Sequence, residues 1–216
     1  MNFEKARMNM VESQLRPNKV SDVLVLERFA AVPREKFVDH SCQLMAYADE
    51  PLAIGYGRTV MAPMVCGRIL QDLDLESADS VLVLAGGTGY SALLIAPLVE
   101  HVTVVEENPY LLDIARKNML DLNIRNIKLL EGKPEDGLPK KQFDKILIDA
   151  PTGEVPASLF EQLKDGGLLG TVTKNADGLL EATVYSKNGK TIFEQPLLET
   201  KGEILANFAI QERFVF

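Results

Sequence analysis

The stretch Val81-Leu82-Val83-Leu84-Ala85-Gly86-Gly87-Thr88-Gly89-Tyr90 is an apolar run that breaks into closely spaced glycines. That pattern predicts a buried strand feeding a tight turn, and such a turn lets a ligand approach the backbone closely. Gly87-Thr88-Gly89-Tyr90-Ser91-Ala92 fits the loose dinucleotide pattern Gly-x-Gly-x-x-Gly/Ala, and Glu106 follows 19 residues after Gly87. A carboxylate at that distance, closing the apolar run His101–Glu106, is placed to accept hydrogen bonds from ribose hydroxyls. Ribose occurs in several cofactors, so these two signals alone do not choose among them. A second acidic signal, Asp149, tips another apolar run, Phe143–Ala150.

Those residues need a parallel sheet to bring them together. From residue 80 onward, apolar strand signals alternate with helical ones, which predicts a doubly wound α/β sheet covered on both faces. Asn108 is set to cap a helix with Pro109 at its first position and Leu111, Ala115 and Met119 along one face. "PASLFEQLKDGG" reads as a helix ended by its glycines, followed by the strand "LLGTVT". The C-terminal segments "LLEATVYS", "KTIFEQPL" and "ANFAIQERFVF" read as antiparallel strands added to one edge.

Upstream, the first 45 residues read as helices, with Ser21 as the cap of one that stops before Pro33. Residues 46–63 carry Gly, Pro and Asp punctuation and read as a long loop, and Pro63 starts a helix with Val65, Ile69 and Leu73 on one face. The division is residues 1–78 for the helices and loop, 79–175 for the nucleotide-binding core and 176–216 for the final strands, within one domain.

Composition bounds the partners. The 23 basic and 31 acidic residues leave a formal charge of −8 with no basic stripe, which argues against nucleic acid. No run reaches a membrane-spanning length, and the N-terminus lacks a signal-peptide pattern, so a cytoplasmic protein is expected. Cys42, Cys66, His40 and His101 have no metal-ligand spacing; no metal is expected, and both cysteines read as reduced apolar residues.

About 80 residues of helix and loop precede the glycine strand, and antiparallel strands close the chain. A nicotinamide enzyme usually opens on its glycine strand; this layout resembles a class I S-adenosylmethionine-dependent methyltransferase. "MVESQLRPNKVSDVLVLERFAAVPREKFV", "AYADEPLAIGYGRTVMAP", "VLVLAGGTGYSALLIAPLVEHVTVVEE" and "FDKILIDAP…LFEQLKDGGLL" narrow the resemblance to the protein-L-isoaspartate O-methyltransferase family, over residues 8 to about 172. The resemblance implies a Rossmann-like fold and methyl transfer from S-adenosyl-L-methionine to L-isoaspartyl carboxylates of damaged proteins or peptides, a repair reaction. It implies donor contacts from Val60, Ala85, Gly86, Gly87, Gly89, Glu106, Lys133, Pro134 and Asp149, and a catalytic loop containing Thr59 and Met61.

Several positions depart from the family pattern. Met61 stands where a catalytic serine is usual, and Arg58 where glutamine is usual. Val83 replaces an acidic residue, Ala85 a glycine, and Gly132-Lys133-Pro134 a Gly-Asp-Gly turn. A positioned hydroxyl is worth on the order of 10²–10³ in rate; Thr59 is placed to supply one, and Met61 to pack. Arg58 reads either as a partner for an acidic substrate group or as one half of a surface salt bridge. Two alternatives stay open: a methyltransferase-like binding protein with weak or no catalysis, and a methyltransferase with another acceptor.

Overall fold

The computed structural model describes residues 2–209. Its centre is a seven-stranded sheet built from β3 (Ser80–Leu84), β4 (His101–Glu106), β5 (Ile127–Glu131), β6 (Phe143–Thr152), β7 (Leu163–Lys174), β8 (Leu180–Asn188) and β9 (Thr191–Thr200). The spatial order is β5-β4-β3-β6-β7-β8-β9. The first five in that order are mutually parallel; β8 adds antiparallel to β7, and β9 adds antiparallel to β8. The doubly wound α/β reading and the antiparallel extension both hold. All five residues of β3 are buried, which is what a central parallel strand between two covered faces requires.

The order reverses around β3, because the chain proceeds to β4 on one side and to β6 on the other. The carboxyl ends of β3, β4 and β6 therefore frame a crevice at the switch point. Helices α4 (Tyr90–Ile95) and α5 (Pro109–Asp121) leave that crevice after β3 and β4. Asn108 caps α5 by accepting from the N–H groups of Tyr110 and Leu111. Gly86 is required by packing, since a Cβ there would stand 2.4 Å from Val104 Cγ1.

The N-terminal part is helical, with α1 (Phe3–Met10) and α2 (Val23–Ala31) joined by short π and 3₁₀ turns, and α3 (Pro63–Asp72) following two 3₁₀ turns and two short strands. In α3, Val65, Ile69 and the following Leu73 are buried as their spacing predicts. The α2 cap is Asp22, which accepts from Val25 N–H; Ser21 instead bonds Gln71, one residue off the sequence reading. Among the described residues, no helix is long and apolar enough to cross a membrane, and no cluster of His, Cys, Asp and Glu could hold a metal.

Three further expectations change. Residues 46–63 are not all loop: they contain a hairpin of β1 (Leu52–Gly55) and β2 (Arg58–Val60), separate from the main sheet. Its turn residues Tyr56 and Gly57 both have positive φ, as a tight two-residue hairpin turn demands. Strands of four and three residues are too short to show alternation in the sequence. "PASLFEQLKDGG" is helical only over α6 (Ala157–Glu161), because β7 begins at Leu163 and pairs with Phe143 at the start of β6. In the last expected strand, Ala206–Phe208 form a 3₁₀ turn, and residues 210–216 lie outside the described residues.

Candidate functional site

Glu106 is the last residue of β4 and is fully buried. Its two oxygens receive four hydrogen bonds. Arg58 Nη1 donates to Oε1 at 2.9 Å and Oε2 at 3.1 Å, Gly87 N–H donates to Oε2 at 2.9 Å, and Asn108 N–H donates to Oε1 at 3.1 Å. An ionised carboxylate has about four acceptor sites, so all of them are taken. Arg58 Nη2 also donates to the Ala85 carbonyl at 2.7 Å. Of the two readings of Arg58, substrate partner or surface salt bridge, the structure shows a salt bridge, but buried at the centre of the crevice, with Arg58 7% exposed. Span 46–63 contains no other cation.

The glycine turn is held from both sides. Thr88 Oγ1 donates to Phe37 carbonyl at 2.8 Å, and Asn118 Nδ2 of α5 donates to the Thr88 carbonyl at 3.1 Å. Ile54 of β1 covers Gly87: a Cβ on Gly87 would lie 2.6 Å from Ile54 Cδ1. Ala85 takes φ +57°, a left-handed conformation that costs an L-residue about 1–2 kcal/mol. Gly89, at φ +89°, precedes α4.

Beneath the turn lies a buried polar cluster of which the sequence reading singled out only Asp149. Arg34 is fully buried; its Nη2 donates to the Met61 carbonyl at 2.8 Å, and its guanidinium carbon sits 5.0 Å from the Tyr90 ring centroid. Arg34 Nε and Nη1, the Tyr90 hydroxyl and Asp149 Oδ1 have no hydrogen-bond partner among the described residues. Burial pushes the Asp149 carboxyl up to about 7, while Ser91, Arg58 and Arg34 pull it down and Glu106 adds to the rise. Burial likewise raises the Tyr90 hydroxyl and pushes the Cys66 thiol up to about 12. Arg34 was visible only as a cation set between Val32 and Phe37, both buried in the core.

The remaining candidates separate by position. Thr59 is exposed on β2, while Val60 and Met61 are buried in the core cluster. Val83, also in that cluster, pairs in register with Val104 and Leu147. Lys133 is exposed in the turn after β5, and Pro134 beside it is buried. Gly132 N–H donates to the Glu106 carbonyl at 3.1 Å, which ties that turn to the crevice. Ile54, Thr59, Val60, the turn 85–88, Tyr90 and Asp149 enclose only about 10 Å³. The residue types suit a ribonucleoside, but this arrangement does not admit one.

A wider cleft of about 350 Å³ opens on the other side of Arg58, lined by Tyr56, Gly57, Thr59 and Glu107 and by residues 203–207. Those last residues strap across the strand ends: Leu205 N–H donates to the Pro151 carbonyl, and Gly153 N–H to the Phe208 carbonyl. Asn207 Nδ2 donates to Glu107 and to Glu135 at 3.1 and 2.9 Å.

Comparison with known proteins accords with this architecture. The family model of protein-L-isoaspartate(D-aspartate) O-methyltransferase matches residues 6–199, further toward the C-terminus than the quoted motifs reach. Protein-L-isoaspartate O-methyltransferase 1 of Syntrophobacter fumaroxidans is 36% identical over 190 residues, covering 88% of each chain. The Petrotoga mobilis protein-L-isoaspartate O-methyltransferase is 40% identical over 169 residues, covering 77% of this chain and 79% of its own. A solved Plasmodium falciparum structure, a putative protein-L-isoaspartate O-methyltransferase in complex with S-adenosyl-L-homocysteine, shares the fold. It superposes with a TM-score of 0.77 at 20% identity, covering 96% of this chain and 99% of that one. Matched by that family model over residues 6–199 and at least 36% identical to both of those relatives over most of its length, the chain belongs to the protein-L-isoaspartate O-methyltransferase family.

Proposed function

We propose that this protein transfers a methyl group from S-adenosyl-L-methionine to the carboxylate of L-isoaspartyl residues in damaged proteins and peptides. The observation that carries the reading is the family match across residues 6–199, which includes every strand of the crevice and the hairpin in front of it. The acceptor carboxylate is ionised at neutral pH, so the chain needs no base to create the nucleophile. What it must supply is alignment and exclusion of water. We assign alignment to Thr59, whose exposed position on the rim of both the turn and the cleft supports that role. Met61 serves by packing, and its carbonyl anchors Arg34. For the donor we assign Glu106 and the turn Ala85–Gly89 to the ribose end, the turn at Gly132–Pro134 to the base end, and Asp149 with Val60 to the sides.

The free thiols of Cys42 and Cys66 support a cytoplasmic setting. The net charge of −8 supports protein or peptide acceptors over nucleic acid. The experiment is incorporation of labelled methyl from S-adenosylmethionine into an isoaspartyl peptide, with the aspartyl isomer as control. Base-labile label in the isoaspartyl peptide alone is expected. Label in neither peptide, from a folded protein that binds S-adenosylhomocysteine, would transfer the assignment to a different acceptor.

A further inference from the structure

Arg58 and a ribose cannot use Glu106 at the same time. The carboxylate has no acceptor site left once Arg58, Gly87 and Asn108 have donated to it. The cation is delivered by β2, half of a two-stranded ribbon that, among the described residues, pairs with no other strand. Such a ribbon is marginal on its own; buried Leu52 and Val60 and the Asp39 N–H bond to the Ala53 carbonyl tie it to the core, and contacts with the crevice hold it closed over the turn. Three are evident: Ile54 over Gly87, Arg58 on Glu106 and the Ala85 carbonyl, and the Tyr56 ring stacked on Tyr110 at 5.4 Å and 5°. Behind the ribbon about 10 Å³ remains, room for about one water and not for a nucleoside.

We propose that Arg58 is an internal competitor for the ribose-binding carboxylate, so that the hairpin Leu52–Val60 keeps the donor site shut until the guanidinium leaves Glu106. The inference rests on the function proposed above, whose donor needs that carboxylate. Release leaves the cation with acidic company, because Glu107 and Glu203 line the same outer cleft. It also gives the turn room, because Ile54 moves with Arg58 on the ribbon. A ligand that binds only the open form sees its affinity reduced by the open fraction. With the open form at about 1–10% of molecules, binding is weakened by about 10- to 100-fold.

Calorimetric titration with S-adenosylhomocysteine tests this on the full-length protein. Arg58→Gln removes the competing charge and keeps an amide donor; it should bind about 10- to 100-fold more tightly than wild type. Arg58→Lys keeps the charge and should stay within a few-fold, by the same competition. Thermal unfolding checks that each variant folds. Tyr56→Ala guards against an unfolded Arg58 variant, since it loosens the latch without touching the ion pair; it should tighten binding by about 2- to 10-fold. Wild type, Arg58→Gln and Tyr56→Ala binding alike would overturn the competition and leave the proposed function standing. Tight wild-type binding lost in Arg58→Gln would make Arg58 part of the donor site, which also overturns it. No binding by any of the folded proteins at millimolar ligand would sink the competition and the proposed function together.

Discussion

Two buried polar regions lie within the same crevice, and they are arranged oppositely. Around Glu106 every acceptor site is filled by the protein itself. Around Arg34, Tyr90 and Asp149, four polar atoms face no partner among the described residues. A buried polar group left unpaired costs about 1–3 kcal/mol, so the second region carries an energetic burden that the first has shed. The satisfied region stabilises the closed fold, and the unsatisfied one is where a ligand, a water or a proton has most to offer.

The largest expected effect comes from breaking the satisfied side. Glu106→Ala leaves a buried guanidinium with only the Ala85 carbonyl, and should lower unfolding free energy by about 3–5 kcal/mol. Adding Arg58→Met to it should recover most of that loss. Denaturant unfolding of the two singles and the double completes the cycle; additive losses would mean the pair is not coupled.

The unsatisfied side should respond in the other direction. Asp149 has a folded-state value of about 7, raised above its unfolded value near 3.9. Between those values the folded protein holds the proton and the unfolded chain does not, so stability falls as pH rises through that window and levels off above it. Asp149→Asn removes the dependence and should stabilise the protein by about 2–4 kcal/mol at pH 8, with little effect near pH 4. Equal stability gains at both pH values would show that the carboxyl is not the source. Cys66, Ser91, Arg34, Arg58 and Glu106 are the groups that set its environment.

Smaller effects sharpen the boundary between the regions. Tyr56→Ala removes an exposed stacked pair and should cost about 0.5–1.5 kcal/mol in thermal unfolding. A larger loss would mean that the hairpin carries more of the core than its short strands indicate. Ala85→Gly relieves the left-handed strain at φ +57° and should gain about 0.5–1 kcal/mol. A loss there would mean that the Arg58 bond to the Ala85 carbonyl depends on the alanine's rigidity.

The sheet was legible because its strands are continuously apolar and its turns are punctuated. β3 and β4 begin and end within about a residue of the runs that predict them. Glu106 was legible as the acid at the end of its strand, since spacing and strand position need no third dimension. Its partner was not. Arg58 lies 48 residues away in a hairpin too short for alternation to register, and only the folded chain brings the two within 3 Å. Arg34 was equally hidden, because the charged run Arg34-Glu35-Lys36 reads locally as surface. The α6 boundary failed for a related reason: pairing of Leu163 with Phe143 overrides a local helix signal.

Among the described residues, β9 pairs only with β8, so ten residues form an outer margin of the sheet. Long open margins recruit strands from other molecules. Here Pro196, opposite Thr183, removes one amide from the row, and the register slips beside it between Ala182 and Thr183. Glu194 and Glu199 add negative charge along the same strand. The margin therefore ends the sheet with an interrupted, charged template, poorly matched to the continuation that amyloid-like growth requires.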